Sequence, residues 1–253
     1  MIKISLFILM SCIFATFLCW GNNILIGSMV LSEINDNLKN VLNDIKKAHE
    51  SSHFLDLPIP KLVAVSKKQD DYKIVEALKM GHRCFGENRV QEAQQRWKKK
   101  QEIFENLELR LIGPLQTNKV KQALEIFDII ETLDREKLAK EVANKFDKNK
   151  KTKKFYIQIN SGYETQKSGI DPLEADSFIN FCKQDLKLPI IGLMCIPPIY
   201  EEPSMHYALL KKIATRNGLK ELSMGMSNDY KEAIKFGATS VRIGSLIFGS
   251  RNQ

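Results

Sequence analysis

From residue 61 onward, short apolar runs and amphipathic segments take turns eight times, and that rhythm admits few folds. The apolar runs read as strands at LVAVSK (62–67), RCFGEN (83–88), LRLIGP (109–114), DIIETLD (128–134), KFYIQIN (154–160), PIIGLMCI (189–196), ELSMGMS (221–227) and SVRIGSLIFG (240–249). The segments between them carry apolar residues at helical spacing. In DDYKIVEALKMG, Ile74, Val75 and Leu78 share one face and Gly81 marks a stop. DPLEADSFINFCKQ opens on Asp171 as a cap, with Pro172 at the first helical position. Strands that alternate with helices pair in parallel, because each crossover must travel the length of the sheet. Eight units therefore predict an α/β fold, a closed (β/α)8 TIM barrel, with an open doubly wound sheet as the alternative.

The 253 residues suffice for one such barrel, and no repeat or low-complexity linker divides the body. Ahead of it, MVLSEINDNLKNVLNDIKKAHES (29–51) reads as an extra amphipathic N-terminal helix with Ser32 as its cap. Residues 1–28 differ in kind. One lysine precedes an apolar run from Ile4 to Trp20, with no clear small-residue cleavage site after it. Three readings stand open for this stretch: a signal-like segment, a short membrane anchor, and an upstream start that is little used. The body is expected to span 29–253, and contact with a membrane is expected only if residues 1–28 are kept as an anchor.

A net charge of +8, with basic runs at RWKKKQ (96–101) and KNKKTKK (148–154), raises the question of nucleic acid. No aromatic RNA-binding motif, zinc knuckle or recognition-helix pattern accompanies the charge. The runs read as solvated helix ends and loops, and no nucleic-acid partner is expected. The three cysteines of the body (Cys84, Cys182, Cys195) are scattered, as in a reducing, cytoplasmic setting. The four histidines lack ligand spacing, so no metal site is expected.

In this fold, chemistry sits where strands end. The residues placed there are Lys67, Glu87, Asn88, Pro114, Asn160, Ser161, Met194, Ser227, Arg242, Gly244 and Ser245. Alternation puts Val63, Val65 and Lys67 on one face of the first strand and Ala64, Ser66 and Lys68 on the other. Interiors favour branched residues, so the valine face points inward and carries Lys67 to the barrel mouth. Arg242 lies inside an apolar strand and needs an acceptor there. Ser227, Gly244 and Ser245 suit a phosphate held by the loops after strands seven and eight. A structural ion pair for Arg242, with Gly244 relieving crowding, explains the same residues equally well. Asn88 has its own ordinary role as the cap of a helix beginning at Arg89.

AVSK (64–67), FGEN (85–88), IGPLQTNK (112–119), QIN (158–160), KSGI (167–170), GLMCIP (192–197), LSMGMSND (222–229) and VRIGSLIFG (241–249) together resemble the pyridoxal phosphate homeostasis proteins. The resemblance covers about 29–253. It implies a barrel like the N-terminal domain of alanine racemase, binding pyridoxal 5'-phosphate as a Schiff base on Lys67. It implies Arg242 at the pyridine nitrogen, Ser227, Gly244 and Ser245 at the phosphate, and Asn88 and Met194 lining the ring pocket. Two departures fall at the rim: Arg89 stands where the family has Tyr, and Leu109-Arg110-Leu111 where it often has a Trp-His pair.

The resemblance further implies vitamin B6 homeostasis without established catalysis, with no catalytic residue assigned and apo pyridoxal-phosphate enzymes as the partners. The alternative is a racemase-type enzyme acting on an amino acid. An arginine at the ring nitrogen keeps it unprotonated and makes a weaker electron sink than a carboxylate would. The racemase's extra β domain, with its catalytic tyrosine, has no room in the four residues after Gly249. A closed barrel has no sheet edge to cover, so a monomer is expected.

Overall fold

The computed structural model describes residues 33–147, 153–164, 166 and 168–249. The readings made for residues 1–28 and for the Ser32 cap lie outside the described residues. Eight parallel strands close in chain order, each paired with the next and the last with the first. They are β1 (Lys61–Val65), β2 (Cys84–Glu87), β3 (Glu108–Leu111), β4 (Ile129–Leu133), β5 (Lys154–Ile159), β6 (Ile190–Cys195), β7 (Glu221–Ser223) and β8 (Ser240–Ile243). Closure runs through β1 and β8, where Val63 lies opposite Arg242 and Ala64 opposite Ile243. This is the (β/α)8 barrel expected from the alternation.

Helix α1 passes through residues 33–50 and packs outside the barrel. Its Ile34, Leu38, Val41 and Ile45 are buried at helical spacing. Each contributes about 1.5–3 kcal/mol by leaving water. The crossover helices are α2 (Asp71–Lys79), α3 (Val90–Ile103), α4 (Val120–Ile126), α5 (Glu136–Lys145), α6 (Ala175–Asn180), α7 (Pro203–Arg216) and α8 (Tyr230–Lys235), and a short α9 (Ser245–Phe248) follows β8. Helix α1 is tied to α8 and α9: Asn37 Nδ2 donates to the Ile247 carbonyl at 3.3 Å, and the Tyr230 hydroxyl donates to Asp44 at 3.1 Å.

Two cores result. Leu62 and Ala64 of β1 belong to the large apolar layer between barrel and helices, with Phe85, Trp97, Leu109 and Ile243. Val63 faces the other way, since a Cβ on Gly86 would sit 3.0 Å from its Cγ1. Inside the barrel, Ile129, Tyr156 and Met194 form a small cluster of their own. The inward face of β1 is thus the valine face.

Some boundaries differ from expectation. SVRIGSLIFG is not one strand: β8 stops at Ile243, and the Gly244 carbonyl accepts the Ile247 and Phe248 amides at 3.0 and 2.9 Å. An apolar run of this length suits a strand or a buried helical turn equally, and here Ile247 and Phe248 fill the outer core as a helix. Strand β7 ends at Ser223 because Gly225 turns the chain with φ +92°. Helix α6 starts at Ala175, later than the Asp171–Pro172 signal, and Asp171 Oδ1 instead accepts the Leu173 amide at 2.8 Å in a preceding turn. Asn88 does not cap α3: Arg89 occupies that position, and its side chain makes no capping hydrogen bond.

Candidate functional site

Parallel closure brings all eight strand ends to one end of the barrel, and the expected residues lie on or just beyond the strands there. Lys67 lies two residues beyond β1, half-buried, while Lys68 beside it is exposed. The pair occupies the centre of a tight turn in which the Gln69 amide donates to the Ser66 carbonyl at 3.1 Å.

Asn88 follows β2 and packs on the third strand's exit, where a Cβ on Gly113 would fall 2.5 Å from the Asn88 carbonyl oxygen. Its Oδ1 is buried and has no hydrogen-bond partner among the described residues. Asn88 lines a cavity of about 270 Å³ with Gly113, Gln158, Asn160, Ser168 and Ile196. That cavity adjoins a groove of about 690 Å³ reaching Arg89, Pro114, Lys119 and Arg135. Arg89, one of the two departures from the family pattern, is therefore a rim residue, paired with Glu92 at 3.1 Å.

On the opposite side of the mouth, Ser245 Oγ donates to Ser227 Oγ at 3.0 Å. Gly244 lies between these loops and β1: a Cβ on it would stand 3.0 Å from the Val65 carbonyl oxygen. Any side chain there would have to push β1 away, so glycine keeps the loop close to the barrel. Ser227 and Gly244 are half-buried and Ser245 is exposed, leaving both hydroxyls open to solvent.

Arg242 is 4% exposed and held from two sides. Its Nη1 donates to Ser223 Oγ at 2.7 Å and its Nη2 to the Cys195 carbonyl at 2.8 Å. Behind Ser223 stands Glu131, fully buried, which accepts from Ser223 Oγ at 2.6 Å and from Arg110 Nη1 at 3.0 Å. Glu131 lies 4.0 Å from Arg242, too far for a hydrogen bond, so Ser223 links the two. Arg110 continues the chain of contacts to Ser240 Oγ at 3.2 Å and to Glu108 at 2.8 Å. Burial raises the Glu108 pKa, but Arg110 and Lys61 outweigh it and hold the carboxyl at about 2.

Two expected residues sit elsewhere. Glu87 ends β2 but faces the helix layer, because Gly86 takes the inward position. Its Oε1 accepts from Ser66 Oγ at 2.7 Å, Arg96 Nη1 at 2.8 Å and Trp97 Nε1 at 3.0 Å. Met194 is wholly buried against Ile129 and Tyr156. In register it lies between Gln158 of β5 and Ser223 of β7, beneath the mouth.

Glu131, Ser223 and Arg110 are the functional neighbours that sequence reasoning missed. A lone acid between Ile130 and Thr132 was the available signal, yet its partners come from strands far along the chain. Two of the four cations in the basic run 96–101 serve the fold, Arg96 binding Glu87 and Lys100 pairing with Asp71 at 2.6 Å, while Lys98 and Lys99 are exposed.

Residues 37–252 match the family model described as alanine racemase, N-terminal domain. A pyridoxal phosphate homeostasis protein of Haemophilus influenzae is 39% identical over 202 residues, 76% of this chain and 85% of the relative. Another protein of that name, from Aquifex aeolicus, is 36% identical over 227 residues, 85% of this chain and 97% of its own length. The chain belongs to the pyridoxal phosphate homeostasis protein family. A solved family structure, PipY of Synechococcus elongatus with PLP bound, superposes with a TM-score of 0.71 at 30% identity. It covers 86% of this chain and all of that one. These relatives carry the name of homeostasis proteins rather than that of an enzyme. Among the described residues, no helix is long and apolar enough to cross a membrane.

Proposed function

We propose that this protein binds pyridoxal 5'-phosphate through a Schiff base on Lys67 and serves vitamin B6 homeostasis by holding the cofactor and passing it to apo enzymes, without turnover of its own. The observation that carries the reading is the buried Asn88 Oδ1, an acceptor with no partner among the described residues, on the wall of a cavity at the strand ends, while Lys67 lies two residues past the end of the neighbouring strand β1. An orphaned carboxamide oxygen favours a ligand that brings a donor, and the ring hydroxyl of the cofactor is one. The rest of the donor set fits the same group. The Ser227 and Ser245 hydroxyls and the backbone at Gly244 offer hydrogen bonds to a phosphate. Arg242 offers a permanent donor to an unprotonated ring nitrogen.

When bound, the cofactor supplies an aldehyde that amines attack. Lys67 would bond it through its uncharged amine. Arg242, locked between Ser223 and Cys195, would hold the ring without feeding it a proton. That arrangement favours storage over carbanion chemistry. The binding unit in this reading is 29–253, with residues 1–28 outside it.

The test is reconstitution with pyridoxal phosphate, followed by absorbance and by borohydride reduction with peptide mapping. The visible imine band and the reduced adduct on Lys67 are expected, both lost in Lys67→Ala and kept in Lys68→Ala. A Lys67→Ala variant that retains the band would overturn the Schiff-base assignment. Racemisation of an amino acid that disappears with Lys67→Ala would overturn the absence of turnover.

A further inference from the structure

The turn that carries Lys67 has an unfavourable conformation, and one side chain of a neighbouring helix bonds both of its ends. Lys68, third residue of the Ser66–Gln69 turn, has φ +57°. Such a turn ordinarily puts glycine or asparagine there, because a Cβ crowds the backbone in the left-handed region. A strained residue of this kind persists only where its surroundings over-determine it.

Arg96 of α3 supplies that constraint. Its Nη1 donates to the Ser66 carbonyl at 2.9 Å and its Nη2 to the Gln69 carbonyl at 3.0 Å, so one guanidinium spans both ends of the turn. The same Nη1 reaches Glu87 Oε1 at 2.8 Å. Glu87 is fully buried and fixed in turn by Ser66 Oγ and Trp97 Nε1. The guanidinium is anchored in a fourteen-residue helix with its side chain 19% exposed. In this conformation the two lysines part, with Lys67 half-buried and Lys68 exposed.

We propose that Arg96 is a positioning residue that decides which of the adjacent lysines takes an aldehyde, by clamping the Ser66–Gln69 turn so that Lys67 alone enters the mouth. The inference rests on the reading of Lys67 as the Schiff-base amine. In that step the lysine nitrogen bonds the aldehyde carbon, and the aldehyde oxygen leaves as water with the two amine protons. Arg96 touches none of these atoms and acts only through the turn.

Arg96→Lys separates the clamp from simple neutralisation of Glu87. A lysine keeps the charge and the pair with Glu87, but a point-like ammonium cannot span two carbonyls as a planar fork does. Wild type, Arg96→Lys and Arg96→Gln are each loaded with pyridoxal phosphate, reduced with borohydride and mapped for adducts at Lys67 and Lys68. The Lys67-to-Lys68 ratio is expected to fall about tenfold in Arg96→Lys and further in Arg96→Gln, as charge-assisted bonds to the turn are lost.

Pyridoxine 5'-phosphate, which lacks the aldehyde, is expected to bind wild type and Arg96→Lys alike, a result that general collapse of the mouth would not give. A wild-type ratio in Arg96→Lys overturns the clamp while leaving Lys67 as the amine. Adducts on some other lysine in the wild type overturn both readings together. If Arg96→Gln does not fold, the ratio in Arg96→Lys decides the matter alone.

Discussion

A guanidinium buried in a barrel must be answered by acceptors, and here two are answered by one carboxylate. Glu131 binds Arg110 directly and reaches Arg242 through Ser223. Removing one partner from such a buried set leaves uncompensated charge, which costs about 3–5 kcal/mol. Glu131→Ala is expected to lower unfolding free energy by that amount in urea titration, with Glu131→Gln losing less. At the lower end of the same chain, Glu108 has its carboxyl depressed to about 2 from 4.5. Its folded-state pKa lies below the unfolded value, so its contribution is full above about pH 4.5 and lost as pH falls toward 2. Glu108→Gln should flatten the fall of stability across that window, measured by denaturation at successive pH values. The positions of Lys67 and Asn88 just past β1 and β2 were legible at this scale because position at a strand end is a local property. Glu87 was misplaced by the same logic half-applied: with Gly86 turned inward, its neighbour must face out. Glu131, Arg110 and Ser223 were illegible because each makes sense only once β3, β4 and β7 stand around one axis.

At the scale of elements, the strands were the easiest part to read, since strands buried on both faces appear as unbroken apolar runs. The ends of the last two units were not. LSMGMS and VRIGSLIFG continue in apolar residues past the point where Gly225 and Gly244 turn the chain. No period distinguishes four such residues in a strand from four in a helical turn. Gly225 combines φ +92° with a Cβ position only 2.6 Å from the Ala233 Cβ. Gly225→Ala therefore faces both backbone strain and a clash with α8, and is expected to destabilise by about 2 kcal/mol or more in thermal melts. The outlying α1 is part of the same core and not an appendage. Leu38→Ala, which empties a fully buried site, is expected to cost about 2–5 kcal/mol by the same measurement.

For the molecule as a whole, a ligand that binds only the folded barrel must stabilise it. At about a hundredfold excess over Kd, mass action adds about 2.7 kcal/mol. For a domain of this size that corresponds to a rise in Tm of about 5–10 °C. Pyridoxal phosphate is expected to produce such a shift in wild type and a smaller one in Lys67→Ala, read by differential scanning fluorimetry. Absence of any shift would contradict the proposed function at the level of binding, before any question of covalent attachment arises.

The pairing of β1 with β8 has a temporal side. Lys67 leaves the ribosome long before Arg242, Gly244 and Ser245, yet the mouth needs both ends of the chain, with Val63 set opposite Arg242. A nascent chain truncated after β7 would carry the proposed Schiff-base lysine but neither the Arg242 guanidinium nor the Ser245 hydroxyl. On the proposed function, loading with cofactor would mark the completion of synthesis: molecules cut short before the eighth strand are expected to remain colourless.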